Sequence, residues 1–193
     1  MKRTIRIVAM LSMAALGACA AQPPLQGVSL QWKPTADATF GVVQSSGHKF
    51  RFENFKDERQ QPELIAENRE KATPRTVTTK DDIGVFVTSA MRQTFDRAGL
   101  TTVDTGGDVI VSGRVRRFFV EETETYKASV VVHVVMRSRA GRVLWEGDVS
   151  GAASTFGRSY TLENYNQVLS DSLIDATASL LKDHDFRGAL AKD

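Results

Sequence analysis

Three long segments of alternating apolar and polar residues constrain the fold of this chain more than any other feature. Residues 109–120, 123–137 and 142–152 have apolar side chains at every second position over much of their length. This is the pattern of a strand with one buried face. The connections are short, and residues 138–141 form a tight turn. Because short connections join antiparallel neighbours, the three segments predict an antiparallel meander.

Two segments with apolar residues at helical spacing lie on either side of the meander in the sequence. The first helix is predicted over 80–98, with Thr79 as its N-cap and Gly99 as the left-handed residue that ends it. The second is predicted over 161–183, followed by a terminal turn or short helix over 186–190. Each helix has one apolar stripe, so both can pack on the same face of a sheet. The predicted class is therefore α+β: an antiparallel sheet with two helices on one face, in the order strand, helix, three-strand meander, helix.

The region before the first helix contains weaker signals. Residues 28–32 alternate and predict a short first strand, and residues 49–55 predict a half-buried strand with Phe50 and Phe52 on one side. Residues 57–76 are polar and contain two prolines. Such composition is typical of a mobile surface loop.

The amino terminus has the pattern of an export signal. Lys2, Arg3 and Arg6 precede an apolar run over 7–16. Ten residues of helix span about 15 Å, whereas the hydrocarbon core of a bilayer is about 30 Å thick. The run therefore predicts a signal peptide and not a transmembrane helix.

The single cysteine of the chain follows that run. Leu16, Gly17, Ala18 and Cys19 resemble the bacterial lipobox, in which the cysteine thiol accepts a diacylglyceryl group and the chain is cut before the cysteine. We therefore expect a signal peptide over 1–18 and a lipid-bearing tether over 19–27. The alternative is ordinary cleavage after an A-x-A pattern at 18–20, which would release a soluble protein.

Lipidation would place the chain in the cell envelope. Several acyl chains on Cys19 would anchor it firmly, because burial of acyl chains contributes about 0.8 kcal/mol per CH₂. In enterobacterial lipoproteins, which this segment resembles, an aspartate directly after the cysteine is an inner-membrane retention signal. Ala20 stands at that position here. The resemblance therefore implies the outer membrane, facing the periplasm. The rest of the chain, 28–193, is expected to form a single periplasmic domain.

Composition narrows the function. The net charge of +2 includes the three basic residues of the signal, and without them 22 basic residues face 23 acidic ones. A near-neutral chain has no strong field for nucleic acid. One cysteine excludes an internal disulfide, three histidines offer little for a metal site, and the sequence contains no catalytic motif. We therefore expect no cofactor, no metal and no enzyme activity.

Four residues are candidates for a partner or ligand surface. Arg114 and Arg116 lie on one predicted strand and could bind anions, although charged residues on strands also protect sheet edges. Phe118 is the third candidate: it is adjacent to Phe119, so the two rings face opposite sides of that strand and one of them should lie outside the core. Trp145, on the last meander strand, is the fourth candidate.

Several short segments resemble those of the YajG-like lipoproteins of Gram-negative envelopes, and more loosely auxiliary lipoproteins of envelope transport systems. The resemblance covers roughly residues 48–190, and the segments that carry it are 54–59, 97–100, 108–115, 126–128, 141–147 and 165–169. The resemblance implies a membrane-anchored, periplasm-facing lipoprotein, and it supplies no catalytic residues.

These observations favour a non-enzymatic lipoprotein that presents a surface to another envelope protein or to glycolipid. A first alternative is a ligand- or lipid-binding auxiliary subunit of a transport system, which predicts a pocket near Phe50, Phe52 and Trp145. A second alternative is a periplasmic hydrolase, which predicts a cleft with a nucleophile and a base.

Overall fold

The computed structural model of the chain describes residues 23–35, 40 and 47–191. Eight strands and three helices follow one another in these ranges. They are β1 (Lys49–Phe52), β2 (Lys56–Asp57), β3 (Leu64–Asn68), β4 (Arg75–Thr78), α1 (Ile83–Arg97), β5 (Thr101–Val103), β6 (Val109–Glu122), β7 (Thr125–Ser138), β8 (Val143–Phe156), α2 (Leu162–Lys182) and α3 (His184–Ala191). No helix in the described part of the chain is long and apolar enough to cross a membrane.

All eight strands belong to one sheet, in which β6 is central. On one side β6 pairs with β7, which pairs with β8, and both pairings are antiparallel. On its other side β6 pairs in succession with β1, β2 and β3, all of them parallel. The α+β class and the antiparallel meander are confirmed, whereas the prediction of a wholly antiparallel sheet is wrong. Parallel pairing is permitted here because α1 lies in the long connection that brings the chain back to β6.

The polar segment 57–76 was expected to be a loop, and that expectation is wrong. It contains all of β3 and the start of β4, which pair with each other. Ile65 and Ala66 of β3 are fully buried. The buried apolar run is too short to stand out among its polar neighbours, and its pairing with β4 and β6 makes it a strand.

Residues 23–35, which we call the docked segment, lie against the body of the protein. Only Val28 forms a β-bridge, with Thr79, so the predicted strand over 28–32 is not formed. The backbone N–H groups bond mostly to side chains instead: Leu30 donates to Asp81 at 2.6 Å and Lys33 donates to Ser170 at 2.9 Å. Four of its side chains pack against the core, namely those of Leu25, Val28, Leu30 and Trp32. The predicted domain boundary at residue 28 therefore falls within a segment that is already bound to the domain.

Helices α1 and α2 pack against one face of the sheet and against each other. Helix α1 begins later than predicted, because Asp82 and not Thr79 is its N-cap and accepts from the Val85 N–H at 3.1 Å. Thr79 instead donates to the Val28 carbonyl at 2.6 Å. At the other end Gly99 has φ of 81°, as predicted for the residue that ends the helix. Helix α2 starts after Thr161, also as predicted.

Candidate interaction surface

The two faces of the meander have different chemistry. One is covered by the helices, and the side chains that point there are almost all apolar. The other is covered by none of the helices in the described part of the chain, and we call it the open face. Its charged and aromatic side chains come from alternate positions of β6, β7 and β8, and include Arg114, Arg116, Arg117, Phe119, Lys127, His133, Arg137, Glu146 and Asp148.

The structure does not bring the four predicted surface residues together. Arg114 and Arg116 lie on the open face and are exposed. Phe118 is fully buried, so its assignment to a surface is wrong. Trp145 lies on the helix side, where its indole N–H donates to Asp183 at 3.1 Å and its ring packs edge-on against Phe186 at 6.1 Å.

A β-bulge in β6 explains the position of Phe118. Val115 pairs with Val132 and Arg117 pairs with Val131, so Arg116 is an extra residue in the ladder. A bulge of this kind shifts the alternation by one residue. Phe118 therefore points into the core, and Phe119 is the partly exposed phenylalanine on the open face.

A cross-strand ionic network lies at the centre of the open face. The imidazole of His133 contacts two carboxylates of β8, with Nδ1 2.8 Å from Asp148 Oδ1 and Nε2 3.0 Å from Glu146 Oε1. Arg116 donates to both oxygens of Asp148, at 2.8 and 3.1 Å. Four side chains from three strands are thus held in fixed positions, which gives this part of the surface a defined charge pattern. His133 was not among the residues predicted to form a surface.

A groove at the side of this network has three cationic and two anionic side chains in its lining. Its volume is about 360 Å³, the cations are Lys56, Arg114 and Arg137, and the carboxylates are those of Glu53 and Glu58. Arg114 lies 3.7 Å from Glu58. Within the described residues, neither Lys56 nor Arg137 is placed in an ion pair. The groove therefore offers positive charge to an acidic group of a partner.

The space between the helices and the sheet is filled by aromatic side chains. Phe50 packs edge-on against Phe95 at 5.4 Å, and Phe52 does the same at 5.1 Å. These contacts occupy the position where a ligand-binding alternative expects a pocket. Among the described residues no group of three or more His, Cys, Asp or Glu side chains is placed so that it could hold a metal ion.

A buried polar cluster lies under the turn between β8 and α2. The Glu122 carboxylate is fully buried and accepts from the Tyr165 hydroxyl and from the Tyr160 N–H, the latter at 3.0 Å. Tyr160 has a positive φ of 45°, uncommon for a residue with a side chain. Burial, and then the hydrogen bond to Glu122, raise the pKa of Tyr165 above its usual range. This cluster was not predicted from the sequence, because Glu122 points inwards only through the bulge at Arg116.

The predicted lipid attachment site, Leu16 to Cys19, lies outside the described residues. The prediction of lipid attachment at Cys19 therefore depends on the sequence alone.

Comparisons with known proteins give a fold and no family. No family model matches the chain, and no curated protein matches it. A crystal structure of a Xanthomonas campestris protein of the DUF330 family has a TM-score of 0.52, with 11% identity over 83% of this chain and 94% of that one. At this identity the similarity concerns the fold alone.

Two further structures are less similar. A lipoprotein from Neisseria meningitidis has a TM-score of 0.37, with 11% identity over 58% of this chain and 87% of that one. PelC from Paraburkholderia phytofirmans, solved as a dodecamer, has a TM-score of 0.42, with 14% identity over 70% of this chain and 92% of that one. We infer nothing about the function of this chain from either.

Proposed function

We propose that this chain is a lipid-anchored protein of the bacterial outer membrane, facing the periplasm, that acts without catalysis as an interaction module. In this proposal Cys19 carries the lipid and the open face of the sheet binds another envelope protein. The single observation that carries the binding role is the network of Arg116, His133, Glu146 and Asp148, which fixes charges on a sheet face that no helix covers.

The charged network favours recognition more than it favours stability. An exposed ion pair contributes only about 0–1 kcal/mol to stability, so stability alone is a weak reason for building a network across three strands. Pre-ordered charges do favour recognition, because a partner with complementary charges binds without first ordering those side chains. The neighbouring groove adds the cations Lys56 and Arg137 beside the two carboxylates of the network. An acidic patch on the partner fits this groove.

The anchor is tested by the mass of the mature amino terminus. Replacing the thiol in Cys19→Ser should stop maturation and membrane association, while the unchanged protein should begin at a lipid-modified Cys19. An unmodified mature chain that begins at Ala21 would contradict the anchor.

The binding surface is tested by crosslinking in the envelope. A photo-reactive amino acid at Lys127, exposed on the open face, should give an adduct of one defined mass. The same amino acid at Gln93, exposed on α1, is the control and should give none. Charge reversal in Arg116→Glu should remove the Lys127 adduct. Equal adducts from both positions, or an adduct that is unaffected by Arg116→Glu, would contradict a role of the open face.

A further inference from the structure

The docked segment enters the body at one end of the sheet. The Leu25 N–H donates to the Tyr160 hydroxyl at 3.1 Å, and the Leu25 carbonyl accepts from the Thr78 N–H at 3.0 Å. Val28 bridges to Thr79 in parallel orientation, so the segment runs in the same direction as β4. Its first residues therefore lie at the end where β4 begins.

Three connections lie at that same end of the sheet. The pairing of Asn68 with Glu122 places the turn between β3 and β4 beside the carboxyl end of β6. The pairing of Glu122 with Tyr126 places the β6–β7 turn there, and the pairing of Thr125 with Phe156 adds the end of β8. We call this the Phe156 end. The opposite end, with Ala140 in the β7–β8 turn, is about 46 Å away, since the long strands have 14 residues each.

Phe156 is the most exposed large apolar side chain in the described part of the protein. Its exposed fraction is 82%, against 47% for Val143 and 45% for Val85. Neither of those two residues shares its position, because Val143 begins β8 at the opposite end and Val85 lies on α1. Phe156 lies at the same end of the sheet as the first residues of the docked segment, although β8 and β4 are on opposite sides of β6. An apolar phase that covers this end would bury its ring.

The covalent chain limits what that phase can be. Four residue steps separate Cys19 from Pro23, and at most about 3.6 Å per residue they reach about 14 Å. A lipid on Cys19 therefore keeps Pro23, and with it the β4 side of the Phe156 end, within that distance of the anchor. This reach is much shorter than the length of the sheet.

We propose that the Phe156 end is a membrane-contact surface and that the Phe156 ring inserts into the interfacial layer of the phospholipid bilayer to which the protein is anchored. The inference rests on the proposed lipid anchor at Cys19. It adds a defined orientation: the sheet stands on its Phe156 end, and the turn containing Ala140 points away from the membrane.

The ion pairs at this end join two arginines to four glutamates. Arg158 lies within ion-pair distance of Glu124 and of Glu70, and Arg69 lies close to Glu67 and Glu121. These pairs leave no excess of positive charge, so the contact needs no anionic lipid. An electrically neutral phosphatidylcholine surface should be sufficient.

The test measures membrane depth at two positions of the lipidated, full mature chain. Because Cys19 is the only cysteine of the sequence and is consumed by the lipid, Phe156→Cys and Ala140→Cys each give a single free thiol for an environment-sensitive fluorophore. In phosphatidylcholine vesicles that contain brominated phosphatidylcholine, the label at residue 156 should be quenched severalfold more than the label at residue 140. Equal quenching at the two positions overturns the inference.

A second pair of variants tests the phenylalanine itself. A label on Ser154→Cys, an exposed position of the same strand, should lose most of its quenching when Phe156→Ser is added, and should keep it when Val143→Ser is added. Unchanged quenching in the Phe156→Ser background overturns the role of the ring. The mass of the same preparations separates the two proposals: a chain without lipid overturns the anchor and the inference together, whereas a lipidated chain with equal quenching overturns the inference alone.

Discussion

The carboxylate of Glu122 shows how much a single buried residue can determine. It is fully buried and points to the helix side of β6, as the apolar residues at alternate positions of that strand do. A buried carboxylate is tolerated only when hydrogen-bonded, and here the donors come from Tyr165 of α2 and from the backbone of Tyr160. Glu122 thereby connects the central strand to the start of α2.

Removal of the Tyr165 hydroxyl should therefore destabilise the fold. Tyr165→Phe leaves Glu122 without one of its donors, and we expect the free energy of unfolding to fall by about 1–3 kcal/mol. The matched control is Tyr126→Phe, whose hydroxyl bonds only to neutral groups of Ser159 and Thr161, and which should cost less. Urea titration of both variants measures the difference. Equal losses of unfolding free energy would show that the hydrogen bond from Tyr165 to the carboxylate contributes no more than the bonds of Tyr126 to neutral groups.

The raised pKa of Tyr165 gives a pH dependence of known sign. Burial and the bond to Glu122 favour the protonated phenol in the folded state, whereas an unfolded tyrosine loses its proton near pH 10. This contribution is fully present below about pH 10 and is lost as the pH rises above it. Between pH 8 and 11 the free energy of unfolding of the unchanged protein, measured by urea titration, should decline as the pH rises. The same decline should be shallower for Tyr165→Phe.

At the scale of the element, one glycine determines how closely α2 approaches the sheet. A Cβ atom on Gly151 of β8 would lie 2.1 Å from the Ser172 carbonyl oxygen and 2.3 Å from the Ala176 nitrogen, both backbone atoms of α2. Gly151→Ala should therefore push the helix away and cost at least about 1–3 kcal/mol. Gly188→Ala in α3 is the control, because no atom lies within 4 Å of the added Cβ, and it should be neutral or slightly stabilising. Thermal denaturation of the two variants gives the comparison.

The end of α1 allows a test of backbone conformation alone. Gly99 has φ of 81° and open space around its missing Cβ. Gly99→Val should cost about 1–2 kcal/mol through strain, because β-branched residues avoid positive φ. Gly99→Asn should recover most of that loss, since asparagine tolerates this conformation. Gly47 would be an unsuitable control, because it too has a positive φ, of 78°. Denaturant midpoints that are equal for the valine and asparagine variants would contradict this account.

The elements that sequence reasoning found are those with their own periodicity. Helices α1 and α2 and the three meander strands each repeat their pattern several times, so local signals sufficed. Strand β3 and the docked segment have no such repeats, and their hydrogen-bond partners lie far away in the sequence, as Lys33 with Ser170 illustrates. The open face was only half predicted, because the bulge at Arg116 is set by pairing with β7 and reverses which phenylalanine is buried.

At the scale of the whole molecule, the two proposals complement each other geometrically. The open face runs along the length of β6, β7 and β8, and the Phe156 end closes it at one edge. If that end rests on the bilayer, the open face stands upright on the membrane. A partner at the same membrane would then meet the network around His133 from the side, without leaving the bilayer surface.

The docked segment decides how much of the chain is needed for folding, and it provides the last prediction. A chain that begins at Pro23 keeps every described contact of the segment and should unfold cooperatively without any lipid. A chain that begins at Pro34 loses four apolar side chains that pack on the core, those of Leu25, Val28, Leu30 and Trp32. At about 1 kcal/mol or more for each partly buried side chain, its free energy of unfolding should fall by about 3–6 kcal/mol.

A chain that begins at Val28 should have an intermediate free energy of unfolding, because it loses Leu25 and the bond to Tyr160 and keeps the other three side chains. Urea titrations of the three chains measure the series, and equal midpoints would mean that residues 23–33 are a tether that happens to touch the domain and not a part of it.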